Sequence, residues 1–269
     1  MKSPQQEMKK ETKGPGFTAK HPIWTIVLLE LGVFMALSSA GAYLSVSGKT
    51  DESPVPYAFV PIALLLAVYL LTGKRYLRFG FRGLSGVPRK ELLLYVPLAA
   101  DVLVVLTNGL VNGFEPRSAF AVLSLCGLAL LVAFVEETIY RGLILNLLLP
   151  RGVRTAVLGS ALLFSLTHLL NLIGGQSLPA TLLQLAYALL VGLALALLFV
   201  KHRSLLPLMA FHFLHDFTQF LVKDQASILF DSLVVAALLF AVVWLIADLR
   251  KSGSVRTQAA GLPVIPPTA

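Results

Sequence analysis

Residues 118–149 read SAFAVLSLCGLALLVAFVEETIYRGLILNLLL. The run exceeds the ~20 apolar residues that cross a bilayer, yet it holds Glu136, Glu137 and Arg141 in its second half. An ionisable group at the centre of a membrane helix costs roughly 2.5–3.5 kcal/mol or more, so such groups face a bundle interior or a wet cavity. The stretch therefore says two things. The chain is solvated by lipid, and something polar lies inside its helices.

The rest of the chain agrees. Of its 269 residues 57% are hydrophobic and 13% are charged, where soluble domains carry about 25% charged residues. Apolar runs place eight spans at 23–47, 57–73, 91–111, 118–149, 155–173, 178–200, 204–222 and 227–249. The expected fold is an all-α polytopic membrane helical bundle of about eight transmembrane helices. Residues 1–22 form a cytoplasmic N-terminal segment, 23–249 one bundle with its motif core at 118–220, and 250–269 a disordered tail rich in Gly, Pro and small polar residues. The fourth run is too long for a straight crossing and predicts a tilt or a short surface helix. The second is short.

Charge sets the orientation. With both termini cytoplasmic, only Lys49, Arg117 and Lys223 of the 22 Lys and Arg fall outside, and Arg141 lies within a span. That asymmetry is the positive-inside pattern, and it accounts for a net charge of +8 without nucleic acid. The partners expected are a bilayer with an anionic inner leaflet and a hydrophobic peptide. Residues 74–90, KRYLRFGFRGLSGVPRK, read as a basic, aromatic elbow on that leaflet. The first span has a basic start and Ala40-Gly41-Ala42, like a cleavable signal, but its length and Glu30 favour an uncleaved helix. The single cysteine, Cys126, allows no internal disulfide and reads as packing.

Three spans hold clusters of ionisable groups: Glu136, Glu137 and Arg141 in the fourth, His168 in the fifth, and His212, His215 and Asp216 in the seventh. Glu137 and Arg141 are four apart on one helical face and can pair. Glu136 is rotated about 100° away and addresses a different space. His212 and Asp216 also share a face, and Phe164 lies one turn from His168. Counted along each helix, Glu136, His168 and His212 reach depths that can converge. A glutamate can act as general base on water. Two histidines and a carboxylate, here His168, His212 and Asp216, can hold zinc with an open position. Without metal the same histidines can stabilise an oxyanion. A Glu–Arg pair also serves simply to lock helices, a lone histidine in a span is more often an interhelical donor, and Asp101 and Glu30 stand isolated as structural residues. His215 belongs to the ordinary class or the surface.

In order, Glu136-Glu137-Thr-Ile-Tyr-Arg141, Phe164-Ser-Leu-Thr-His168 and His212-Phe-Leu-His-Asp216 resemble the EExxxR, FxxxH and HxxxN/D motifs of the CAAX prenyl protease and bacteriocin-processing (Abi) family of intramembrane proteases. The resemblance implies peptide hydrolysis within the membrane on a prenylated or hydrophobic peptide. It implies Glu136 as base, Glu137 and Arg141 as its positioners, His168 and His212 as metal ligands or oxyanion donors, and Asp216 as the partner of His212. Tyr140 stands where phenylalanine is common. Asp216 stands where the prenyl-processing branch has asparagine, and an ionised aspartate ligates a metal but cannot donate to an oxyanion. No HExxH is present, and Gly83-Leu-Ser85-Gly86 lies in the basic loop as a turn. Two other classes compete: a non-catalytic bacteriocin-immunity or sensor scaffold of this fold, and a proton-coupled transporter, which buried carboxylates also serve. Short loops point to a prokaryotic plasma membrane.

Overall fold

The computed structural model describes residues 17–49, 53–223 and 227–251. The bulk of the expected N-terminal segment and of the C-terminal tail lies outside them. Eight principal helices follow in order: α1 Pro22–Val46, α2 Pro54–Leu71, α3 Val96–Asn112, α4 Ala119–Glu137, α5 Val153–Thr167, α6 Leu178–His202, α7 Leu206–Leu221 and α8 Ile228–Lys251. Among the described residues there is no β-strand, only an isolated bridge between Phe114 and Val222. The chain is an all-α polytopic bundle, as the sequence predicts.

Seven helices are long and apolar enough to cross a membrane. The eighth, α7, has 16 residues, about 24 Å of helix, so the eight-span count needs a correction by length. Its ends nevertheless reach both ends of the bundle. At one end the Leu205 amide donates to the Gly80 carbonyl at 2.7 Å, and at the other the Lys223 amide donates to the Gly113 carbonyl at 3.2 Å. A buried helix between longer neighbours need not match the full hydrocarbon thickness.

The loops sort into two ends as the charge pattern requires. Residues 80–83 bond to 204–206, Asn146 bonds to Arg203, and Lys201 pairs with Glu91 and Asp248, which gathers the basic segments at one end. Arg117 donates to the Phe220 carbonyl at the other. The basic elbow is built of short helical turns, Thr72–Lys74, Arg75–Arg78 and Arg89–Tyr95.

The core forms where α6 packs between α5 and α8, and where α7 packs between α3 and α4. Small residues allow close approach. A Cβ on Gly192 of α6 would lie 3.0 Å from Ala161 Cα of α5, the kind of contact that brings membrane helices together through dispersion. α1 packs on α2 at the edge of the bundle.

The overlong fourth run is neither a surface helix nor a simple tilt. α4 continues unbroken into a π-helix, Thr138–Leu145, and then Asn146–Leu148. A π-segment shifts carbonyls out of the ordinary ladder, and polar side chains meet them here. Ser160 Oγ of α5 donates to the Tyr140 carbonyl at 2.8 Å, and Asn146 Nδ2 donates to the Gly142 carbonyl at 2.6 Å.

Candidate active site

Glu136 and Glu137 close α4, and Arg141 lies in the π-helix. The expected one-turn pair is present: Arg141 Nη1 donates to Glu137 Oε1 at 2.7 Å, with both side chains fully buried. The Arg141 guanidinium also sits over the Phe164 ring of α5, 4.3 Å from its centroid, a favourable cation–π contact. Glu137 is thereby braced from two helices.

His212 of α7 enters the same space. Its Nδ1 lies 3.0 Å from Glu137 Oε1, so the ring N–H donates to that carboxylate. Its Nε2 faces Glu136 Oε2 at 3.6 Å and Asp216 Oδ2 at 3.4 Å. The two glutamates are therefore distinct. The Glu137 side chain is 0% exposed, whereas that of Glu136 is 15% exposed and that of Asp216 21%. Glu137 is a structural anchor for Arg141 and His212, and Glu136 borders accessible space.

His168 takes up a different position. It caps the C-terminus of α5, and its Nδ1 lies 2.9 Å from the Phe164 carbonyl of its own helix. Among the described residues no hydrogen bond or ion pair joins it to Glu136 or His212. The Phe164 ring links them instead, packed edge-on against His168 at 5.1 Å, His212 at 6.0 Å and Tyr140 at 5.2 Å between ring centroids. The structure thus brings Glu136, Glu137, Arg141, His212 and Asp216 into direct contact and places His168 beside them, against the same Phe164 ring that His212 touches.

The donor chemistry suits zinc, but the donors are not gathered. Among the described residues no group of three or more His, Cys, Asp or Glu is arranged to hold a metal ion. His168, His212 and Asp216 as placed do not form the expected ligand set.

Two buried polar clusters escape a reading based on spacing. Asp101 of α3 is not isolated: its Oδ2 accepts from His215 Nδ1 at 2.7 Å, both residues are buried, and Tyr187 of α6 stacks on the imidazole. His215 is accordingly an interhelical donor, the ordinary role for a histidine in a span, and not a surface residue. Glu30 of α1 is not isolated either. The Tyr140 and Thr167 hydroxyls, bonded to each other, lie 3.5 and 3.4 Å from its Oε2. A groove of about 460 Å³ lined by Glu30, Phe34, Leu163, Thr167 and Leu170 runs there, beside the site rather than over Glu136.

A polytopic bundle with a buried carboxylate–imidazole centre on three helices defines an integral membrane protein built around reactive polar groups. Residues 118–218 match the family model described as "Type II CAAX prenyl endopeptidase Rce1-like". That stretch spans α4 to α7 and includes every residue of the three motifs, so the match falls on the region whose motifs resemble the CAAX-type intramembrane proteases. No curated protein and no solved structure matches the chain.

Proposed function

We propose that the protein is an intramembrane endopeptidase that hydrolyses a peptide bond in a prenylated or otherwise hydrophobic peptide, with water activated by Glu136. One observation carries the choice between the paired glutamates: Glu136 is partly accessible beside His212, as Asp216 is, while Glu137 is buried and consumed by Arg141 and His212.

In this reading Glu136 takes a proton from water as the hydroxide oxygen adds to the scissile carbonyl carbon. His168 offers Nε2 to the developing oxyanion, and it donates there when the ring is protonated, because Nδ1 is directed at the Phe164 carbonyl. Collapse breaks the C–N bond, and the protonated Glu136 delivers its proton to the leaving amine. The products are a new carboxyl terminus and a free amine. Glu137 and Arg141 hold His212, and Asp216 shares its Nε2 side with Glu136.

A second version uses zinc on His168, His212 and Asp216. Both imidazoles have Nδ1 engaged, by a carbonyl and by a carboxylate, which is how metal-bound histidines are oriented. Zinc there would polarise the carbonyl and acidify water, but it requires the three side chains to draw together.

The test is purified protein in detergent with a panel of lipidated and unlipidated membrane peptides. Cleavage by wild type, lost in Glu136→Gln, is expected. Cleavage that persists in Glu136→Gln overturns the assignment of the base. A cellular phenotype that survives Glu136→Gln, with no peptide cut, favours the immunity or sensor scaffold, and proton flux in liposomes favours the transporter.

A further inference from the structure

The basic elbow meets the rest of the bundle at one residue, Arg203, whose surroundings are unusual. It ends α6 with φ +53°, a left-handed conformation that is strained for non-glycine residues and is kept where the surroundings impose it. The elbow imposes it. Ser204 Oγ lies 2.7 Å from the carbonyl oxygens of both Arg82 and Gly83, which share its one proton, and the Leu205 amide donates to the Gly80 carbonyl at 2.7 Å. Gly80 has φ +80°, and a Cβ there would lie 2.8 Å from the Arg203 carbonyl oxygen and 2.9 Å from the Phe199 ring, so the two backbones touch.

The Arg203 side chain is fixed as firmly. Its Nη2 donates to Asn146 Oδ1 at 2.6 Å, and the guanidinium lies over the Phe199 ring at 4.7 Å. Its Nη1 is buried and has no hydrogen-bond partner. A buried donor of a charged group left unpaired is costly. Burial, followed by the positive charge of Arg82, holds the Arg203 guanidinium down at about 10. The nearby carboxylates Glu91 and Asp248 are taken by Lys201 and His202. Among the described residues no carboxylate pairs with Arg203 or Arg82. Arg82 is tied to this junction through its own carbonyl, which accepts from Ser204 Oγ and the Leu206 amide, while its exposed side chain donates from Nη2 to the Leu77 carbonyl at 3.3 Å.

We propose that Arg203 and Arg82 form a binding site for a phosphate group at the basic end of the bundle, with the exposed Arg82 side chain closing over the anion and Arg203 Nη1 as its buried donor. Guanidinium forks match phosphate oxygens in geometry and charge. The source is the headgroup of an anionic phospholipid or free phosphate. A general positive-inside attraction would spread over Lys74, Arg75, Arg78, Arg89 and Lys90, whereas this site makes two arginines special.

The experiment is thermal unfolding of the full chain in detergent, titrated with phosphatidylglycerol, phosphatidylcholine or inorganic phosphate. Phosphatidylglycerol is expected to raise the Tm of wild type. The half-saturating lipid ratio should rise about tenfold in Arg203→Gln and in Arg82→Gln, the loss of one charged hydrogen-bond donor, and stay unchanged in Arg89→Gln. Arg82 is exposed, so its variant reports binding even if Arg203→Gln folds poorly. The same dependence on variants with inorganic phosphate and none with lipid assigns the site to free phosphate. An equal loss in Arg89→Gln, or no stabilisation by any anion, overturns the proposal.

Discussion

His212 donates Nδ1–H to Glu137 at 3.0 Å, and Glu137 in turn accepts from Arg141 at 2.7 Å on the same oxygen, Oε1. One buried carboxylate oxygen thus fixes an imidazole on α7 and a guanidinium one turn along its own helix. The ring's other nitrogen is left facing Glu136 and Asp216.

The two glutamates should respond differently to the same change. Glu136→Gln removes the proposed base and is expected to lower kcat by about 10²–10⁴ with little change in Tm, because the side chain borders accessible space. Glu137→Gln keeps an oxygen for His212 but leaves Arg141 a buried, uncompensated charge, a defect that costs about 3–5 kcal/mol in soluble proteins. Its Tm should fall sharply. Equal Tm losses in the two variants would contradict the division of roles.

The Arg141 pair offers a sharper separation of stability from chemistry. Replacing both members of a buried ion pair by groups without charge is often neutral in stability. Glu137→Gln combined with Arg141→Met should recover most of the Tm lost by Glu137→Gln alone. Activity should stay low, since His212 then faces a neutral amide in place of a carboxylate. Recovery of activity together with Tm would reduce Glu137 and Arg141 to a helix lock.

Metal removal distinguishes the two catalytic versions. With Glu136 acting on water directly, exhaustive dialysis against a chelator leaves cleavage intact, and metal analysis of the active protein finds less than one zinc per chain. Loss of cleavage that zinc restores, together with zinc binding that His168→Ala abolishes, would move the mechanism to the metal version.

Tyr140 tests the edge of the site. Its hydroxyl joins Thr167 and Glu30, and its ring packs on Phe164. Tyr140→Phe keeps the ring and loses only the hydrogen bonds, about 0.5–1.5 kcal/mol. A small fall in Tm and nearly wild-type cleavage are expected. A large loss of kcat would bring the hydroxyl into the chemistry.

What was legible in the sequence follows from physics that acts locally. Glu137 and Arg141 are four residues apart, and helix geometry alone pairs them. The span at 178–200 became Leu178–His202 because apolar length is itself the signal. Contacts made across the bundle leave no such trace. His215 and Asp101 are 114 positions apart, and Tyr140 and Glu30 are 110 apart, so no periodicity joins them. The π-helix is equally silent, since the carbonyls it displaces are met by Ser160 from another helix. His168 closes α5, but its ring turns to its own backbone, and spacing says nothing of that choice.

The Asp101–His215 pair yields the last prediction. Both side chains are buried, Tyr187 covers the ring, and the contact joins α3 to α7. Asp101 Oδ1 is itself buried and unpaired, so the pair is held by one hydrogen bond. Asp101→Asn retains an acceptor for His215 and should cost little. Asp101→Ala strands the imidazole and should cost several-fold more, read as a larger fall in Tm. If the pair only fastens α7, the folded fraction of Asp101→Ala cleaves with wild-type kcat, since His212 keeps its own partner in Glu137. A normal Tm with lowered kcat would show instead that the rotation of α7, and with it the aim of His212 and Asp216, depends on Asp101.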